Sequence, residues 1–206
     1  MPPFIPRIYP ITDRKLSGLS HAEQVRALVE GGASFIQIRE KEMSGGAFFE
    51  DAKRAMEIAH AAGARILIND RVDIAIVVGA DGVHLGQNDL PPVEARKLLG
   101  AKAIIGYSTH NIDQAKQASY LPIDYLAIGP VFTTSTKPNA DPVVGLEGVQ
   151  AVRNLANNLS IVAIGGINET NMAAVFEAGA DSAAMIGAVL GNGSNIREVM
   201  RVLNTI

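Results

Sequence analysis

Eight short apolar runs, separated by stretches of helical period, constrain this sequence more than any other feature. They occupy residues 7–11, 35–38, 65–68, 82–85, 103–107, 125–128, 161–164 and 182–186. Brief runs without polar alternation suit strands covered on both faces, as in a parallel sheet. Between them apolar residues fall on one helical face: Ala52, Ala55, Met56 and Ala59; Met172, Val175, Phe176 and Gly179; Ile196, Val199, Met200 and Leu203. Ser20 with Glu23 has the form of a capping box for the first helix. A repeated punctuation closes several helical stretches just before an apolar run: Gly32-Ala33-Ser34, Gly63-Ala64-Arg65, Gly79-Ala80-Asp81 and Gly179-Ala180-Asp181. Glycine there supplies a left-handed residue at which a helix ends and the chain turns into the sheet.

Strict βα alternation implies right-handed crossovers and either an open doubly wound sheet or a closed barrel. The strand count is eight, and Ile11-Thr12-Asp13-Arg14-Lys15 follows the first strand in place of a Gly-x-Gly-x-x-Gly fingerprint. Both points favour a compact α/β fold of the (β/α)8 TIM-barrel type. It is expected to form one catalytic domain over residues 1–206, with no linker and shorter loops than the ~250-residue norm.

Composition narrows the function. Hydrophobic residues make up 48% and charged residues 19%, which excludes a disordered, solvating chain. A net charge of −3 with no dense Lys/Arg run argues against nucleic acid or an anionic membrane as partner, while a small basic pocket remains compatible. The chain has no cysteine, so disulfides, thiolate zinc sites and a thiol nucleophile are out. No secretory h-region and no run of about 18 apolar residues is present. A soluble, cytoplasmic protein acting on small molecules is the expectation, with homo-oligomer formation left open.

In a barrel of this type the active site lies at the C-terminal ends of the strands. That rule selects Gln37, Arg39 and Lys41 after strand two, Asn69 and Asp70 after three, His84 and Asp89 around four, and Ser108 and His110 after five. Strand six leads to Thr133, Thr134, Thr136 and Lys137, seven to Gly165-Gly166 and eight to Ile186-Gly187. The last two loops usually hold phosphate, and glycine admits an anion to the backbone N–H groups; tight turns are the structural alternative. Arg39, Lys41 and Lys137 offer a second cationic patch. Asp70 and Asp89 follow neighbouring strands, so their carboxylates can converge on Mg²⁺, or each can cap the helix after it. His84 reads as a satisfied core histidine, His110 as an acid–base or hydrogen-bonding group, and His21 and His60 as surface residues on helices. The stretch 133–145 is long and irregular enough to be a lid or a surface loop.

Taken in order, these motifs resemble the thiamine phosphate synthase family. Gln37-Ile-Arg-Glu-Lys41, Ile68-Asn-Asp-Arg71, Asp81-Gly-Val-His-Leu-Gly-Gln87 with Asp89, and Ser108-Thr-His110 carry the likeness. So do Gly129-Pro-Val-Phe132 with Thr136-Lys137, and Ala163-Ile-Gly-Gly-Ile167. The resemblance implies a transferase that couples hydroxymethylpyrimidine diphosphate with thiazole phosphate, or its carboxylated form, releasing diphosphate. Its cofactor would be Mg²⁺, held by Asp70 and Asp89. Arg39, Lys41, Asn69, Ser108 and Lys137 would bind the diphosphate, with Arg39, Lys41, Ser108 and Lys137 assisting its departure. Gln37 would lie near the pyrimidine, and Thr134, Thr136, Gly166, Ile186 and Gly187 would line the thiazole-phosphate site.

The family is associated with dissociative substitution, in which the diphosphate leaves before the thiazole nitrogen attacks. Two residues depart from its pattern: Gly187 stands where serine is common, and Thr133 where proline is. Competing readings are a thiazole tautomerase of the same superfamily, with His110 as acid–base, and a non-catalytic barrel binding thiamine-related phosphates. Another phosphosugar isomerase or aldolase is a further alternative. Tautomerase relatives tend to lack the equivalents of Asp89 and Lys137, both present here.

Overall fold

The protein is described by a computed structural model covering residues 5–134, 141–156, 158–191 and 195–206. Eight parallel strands close into a barrel: β1 (Ile8–Thr12), β2 (Phe35–Ile38), β3 (Arg65–Asn69), β4 (Gly82–Leu85), β5 (Ile104–Thr109), β6 (Tyr125–Ile128), β7 (Ser160–Ile164) and β8 (Ser182–Met185). Closure is made by β8 against β1, with Ile8 opposite Ala183 and Pro10 opposite Met185. Around the barrel run α1 (Arg14–Ser17), α2 (His21–Glu30), α3 (Gly45–Ala61), α4 (Val72–Val78), α5 (Pro92–Leu99), α6 (Ile112–Ala118), α7 (Gly145–Leu155), α8 (Met172–Glu177), α9 (Gly187–Leu190) and α10 (Ile196–Leu203).

The strands lie where the apolar runs predict them. At the C-terminal ends β1, β3 and β5 continue into Thr12, Asn69 and Thr109. Hydropathy stops at a polar residue, but backbone pairing does not: Asn69 still pairs with His84 and Thr109 with Ile128. Helices exceed the expected eight because α1 is a single turn capped by Asp13 and α9 is a short extra helix after β8.

Local signals explain the helix ends. Ser20 and Glu23 form the full capping box, with Glu23 N donating to Ser20 Oγ at 3.2 Å and Ser20 N to Glu23 Oε2 at 2.8 Å. All four Gly-Ala punctuations are left-handed, with φ of 91° at Gly32, 71° at Gly63, 71° at Gly79 and 105° at Gly179. In each, the alanine amide bonds back five residues: Ala33 to Leu28, Ala64 to Ala59, Ala80 to Ala75 and Ala180 to Val175. This is the Schellman closure, which satisfies a helix carbonyl and redirects the chain.

Two apolar clusters flank the sheet. The larger lies between strands and helices. The smaller fills the barrel with Tyr9, Ile11, Phe35, Leu67, Ile104, Tyr125, Ala127, Val162 and Ala184, and Ile5 packs against it. Gly106 makes room for Tyr125: a Cβ there would lie 2.0 Å from Cζ of the ring.

The N-terminal face carries a repeated clamp. Asp81, Asp124 and Asp181 each lead into an even strand. Their carboxylates accept the amides of Ile66 at 2.8 Å, Ile105 at 2.8 Å and Ile161 at 2.7 Å. Each is also paired with a basic residue of an earlier helix: His60 at 3.1 Å, Arg96 at 2.6 Å, and Arg153.

Candidate active site

The opposite rim gathers the polar residues that end the strands. Arg39, just past β2, is held by Asp13, with Nη1 2.8 Å from Oδ2. Its backbone amide donates to Thr12 Oγ1 at 3.3 Å. Glu40 shapes the loop that follows. Its Oε1 accepts the amides of Lys41 at 2.7 Å, Glu42 at 2.6 Å and Met43 at 3.1 Å. Burial opposes ionisation of Glu40, but the amides of Glu42 and Met43 and the imidazole of His21 outweigh it and hold the carboxyl below its ordinary range.

His21 is fully buried, in contrast to the surface position expected of it. Its Nδ1 lies 2.7 Å from Thr12 Oγ1 and its Nε2 3.1 Å from Glu40 Oε2. Packing of α2 against α3 seals it, and Asp51 of α3 accepts its amide at 2.8 Å. Burial pushes the imidazole pKa down, against the opposing pull of Glu40 and Asp51. His60 is half-exposed, as expected.

Asp70 and Asp89 do come together. Asp70 follows β3 with φ of 60°, making it the one non-glycine residue in the left-handed region among the described residues. Its carboxylate pairs with the Lys41 ammonium, and its amide donates to the His84 carbonyl at 2.8 Å. Asp89 accepts the Gly86 amide at 2.7 Å. Its carboxyl is pushed up first by burial and then by the Asp70 carboxyl beside it. Neither aspartate caps a helix: the N-cap positions of α4 and α5 are Arg71 and Pro91, and neither makes a side-chain cap. Like charges held together, beside a lysine, are the arrangement a cation relieves.

Asn69 adds a further pointer. Its Nδ2 is the only buried side-chain polar atom without a hydrogen-bond partner among the described residues. A buried amide donor left open at the rim fits an incoming acceptor oxygen, since leaving it unsatisfied costs about 1–3 kcal/mol. Across the barrel mouth, Ser108 Oγ lies 2.8 Å from His84 Nε2, and His84 Nδ1 lies 2.8 Å from Tyr125 Oη. His84 is thus the satisfied core histidine anticipated, and burial lowers its pKa to about 4. Gln37 is buried and donates through Nε2 to Tyr9 Oη at 3.0 Å. His110 stands 2.7 Å from the Gly129 carbonyl through Nδ1, with Asp141 at 3.5 Å.

On the remaining arc, Gly165 and Gly166 both have positive φ, 103° and 65°. A Cβ on Gly166 would lie 2.6 Å from the Thr133 carbonyl, so the β7 loop packs closely against the β6 loop that leads to Thr134. Ile186 precedes α9, and Gly187 is its first residue. Thr136 and Lys137, with the rest of 135–140 in the stretch expected to be a lid or a surface loop, lie outside the described residues.

A family model described as thiamine monophosphate synthase matches residues 8–189, which take in all eight strands. The chain belongs to this family. Thiamine-phosphate synthase of Chloroflexus aurantiacus is 45% identical over 185 residues, covering 89% of this chain and 85% of its own. That of Syntrophomonas wolfei is 44% identical over 200 residues, covering 97% and 95%. Among solved structures, thiamine phosphate pyrophosphorylase from Pyrococcus furiosus superposes with a TM-score of 0.86 at 36% identity, covering 97% of this chain and 94% of its own. The resemblance read from the motifs is therefore borne out for family and fold.

Strand-end reasoning missed Asp13, His21, Glu40, Tyr9 and Tyr125. The tyrosines were hidden inside apolar runs, where they read as packing. Strand parity offers the one signal for them: Tyr9 shares a barrel-facing position with Ile11 and precedes the rim by one turn of side chains.

Proposed function

We infer that this chain forms thiamine phosphate by joining a hydroxymethylpyrimidine diphosphate to a thiazole phosphate, with release of diphosphate. The observation that carries the reading is the convergence of Asp70, Asp89 and Lys41 at one rim, beside the open amide of Asn69, in a chain of this family. In the reaction the pyrimidine methylene–oxygen bond breaks with its electron pair going to the diphosphate. The thiazole nitrogen then supplies the pair for the new C–N bond.

The residues present suit that division of charge. Arg39, paired with Asp13 through Nη1, keeps its other guanidinium N–H groups to donate to a diphosphate oxygen. Lys41 can exchange its carboxylate partner for the same anion. Asn69 Nδ2 and the Ser108 hydroxyl are neutral donors beside them. Asp70 and Asp89 would hold Mg²⁺, a cation that takes one or two carboxylates and completes its shell with phosphate oxygens and water. When bound, Mg²⁺ neutralises charge building on the departing diphosphate.

Gln37 is proposed to face the pyrimidine, and Lys137 to bind the diphosphate. Thr134, Thr136, Gly166, Ile186 and Gly187 are proposed to surround the thiazole phosphate, with backbone N–H groups replacing the hydroxyl that Gly187 lacks. No strong base is required: His84 is neutral at physiological pH and its two ring nitrogens are engaged. A thiazole tautomerase would have no use for the second carboxylate at Asp89.

The test is to incubate the protein with both phosphorylated substrates, with and without Mg²⁺, and to quantify thiamine phosphate and diphosphate together. Equal, Mg²⁺-dependent release of the two is expected. Asp89→Ala should lower the rate by at least about a hundredfold, the scale of losing an electrostatic contact to the transition state. Isomerisation of the thiazole carboxylate phosphate without condensation would overturn the reading.

A further inference from the structure

A chain of buried hydrogen bonds crosses the barrel beneath the rim and joins two of the proposed substrate contacts. Gln37 Nε2 meets Tyr9 Oη at 3.0 Å, and Tyr9 Oη meets Tyr125 Oη at 3.0 Å. Tyr125 Oη meets His84 Nδ1 at 2.8 Å, and His84 Nε2 meets Ser108 Oγ at 2.8 Å. Both tyrosines are fully buried among apolar side chains. Each hydroxyl proton therefore has to be spent inside the chain.

Every hydroxyl and a neutral imidazole carry one proton to donate, so only two arrangements satisfy all members. In one, donation runs from Gln37 through Tyr9, Tyr125 and His84 to Ser108 Oγ. The Ser108 proton is then free to point into the site, and Gln37 turns its Oε1 towards it. In the other, every bond reverses: Ser108 spends its proton on His84, and the Gln37 amide turns over to show its NH₂ to the site. The observed placement of Gln37 Nε2 on Tyr9 corresponds to the first. An anion at Ser108 also selects it, because a serine whose proton is spent has only lone pairs to offer an anion. Cooperative polarisation along such a chain reinforces one sense throughout.

We propose that Tyr9, Tyr125 and His84 are positioning residues of a polarity relay, in which a diphosphate oxygen at Ser108 fixes Gln37 as an acceptor and so selects an amino-bearing pyrimidine over its oxo counterpart. The proposal rests on the synthase reading, with Ser108 at the diphosphate and Gln37 at the ring. It makes the two ends of one substrate interdependent: the leaving group sets the hydrogen-bonding sense with which the ring is read. A site committed to one sense discriminates well, because the wrong ring leaves a buried group unpaired.

The experiment compares kcat/KM for the aminopyrimidine diphosphate with that for its 4-oxo analogue, at saturating thiazole phosphate and Mg²⁺. The intrinsic difference in reactivity of the two rings cancels when each variant's ratio is divided by that of the unmodified protein. Tyr125→Phe removes the acceptor for the Tyr9 proton, which then turns to Gln37 Oε1 and flips the amide. The preference for the amino substrate is expected to fall by about tenfold, the scale of a buried group left unpaired. Tyr9→Phe merely unties the amide and should lower the preference by about threefold. A packing role alone would depress both kcat/KM values together and leave the ratio unchanged. An unchanged ratio in folded Tyr9→Phe overturns the proposal, and that variant decides even if Tyr125→Phe does not fold. Absence of condensation by the unmodified protein would instead overturn the synthase reading, and the relay with it.

Discussion

Asp70 concentrates at one residue the tension between folding and chemistry. Its φ of 60° is a conformation that costs a non-glycine residue roughly 1–2 kcal/mol, and its carboxyl is set against that of Asp89. Strain of this kind persists where a side chain has to be aimed. Asp70→Gly relieves both the backbone conformation and the repulsion, with part of the gain offset by the greater entropy of the unfolded glycine chain. Its stability in urea titration should match that of the unmodified protein or exceed it by about 1 kcal/mol, while condensation falls at least about a hundredfold. A loss of stability would mean that the Lys41 pair outweighs the strain. The make-up of the rim was partly legible in the sequence. Gln37, Asn69, Asp70, Asp89 and Ser108 could all be picked out by position, whereas Glu40 read as one more charge in a motif. Its part, gathering three consecutive amides, depends on a loop conformation that composition does not reveal.

The elements divide their labour by end. At the N-terminal face, Asp81, Asp124 and Asp181 tie the starts of β4, β6 and β8 to the preceding odd strand and to an earlier helix. Ser34 stands at the corresponding place before β2, where its carbonyl accepts the Arg65 amide at 2.9 Å. The carboxylate clamp thus recurs at every second strand from β4 to β8, while Ser34 makes only a main-chain contact, to the following strand. Asp124 is the most engaged of the clamps, since Arg96 also caps the carbonyls of Gly100, Ala103 and Pro122. Removing its carboxylate strands the Ile105 amide and one guanidinium contact. Asp124→Ala should cost about 2–3 kcal/mol in denaturant unfolding and leave kcat and KM unaltered, because the clamp lies at the far end of the barrel from the site. A changed KM with unchanged stability would contradict this separation. The punctuating glycines were visible as a repeated Gly-Ala pair. The aspartates after two of them gave no hint of a clamp, because the amide each one binds belongs to a different strand.

For the molecule as a whole, burial of histidine makes stability fall on the acid side. The His84 imidazole has an unfolded pKa near 6.5 and a folded value of about 4. Between those values the unfolded chain holds a proton that the native state excludes, so lowering the pH favours unfolding. Across that window the loss is about 3 kcal/mol. His21 shifts in the same direction, and the depressed Glu40 carboxyl adds its own loss only below its unfolded range. Urea midpoints should decline steadily from pH 7 to pH 4.5, and His84→Gln should flatten that slope. A flat profile in the unmodified protein would place His84 in contact with water.

Much of this protein was settled by the sequence alone. Strand positions, helix stops, the alternating order and the family follow from local patterns, because propensity, hydropathy and glycine conformations act within a few residues. Even the rim could be located, since all the strands run in one direction and their ends are countable. What only the tertiary structure decided is contact between distant residues: closure of β8 on β1, the meeting of Asp70 with Asp89, the sealing of His21 under α3, and the path from Gln37 to Ser108. A carboxylate 19 positions away, or a tyrosine 116 away as Tyr125 is from Tyr9, becomes a neighbour only through barrel curvature and register. Those are collective properties of eight strands, and no short segment contains them.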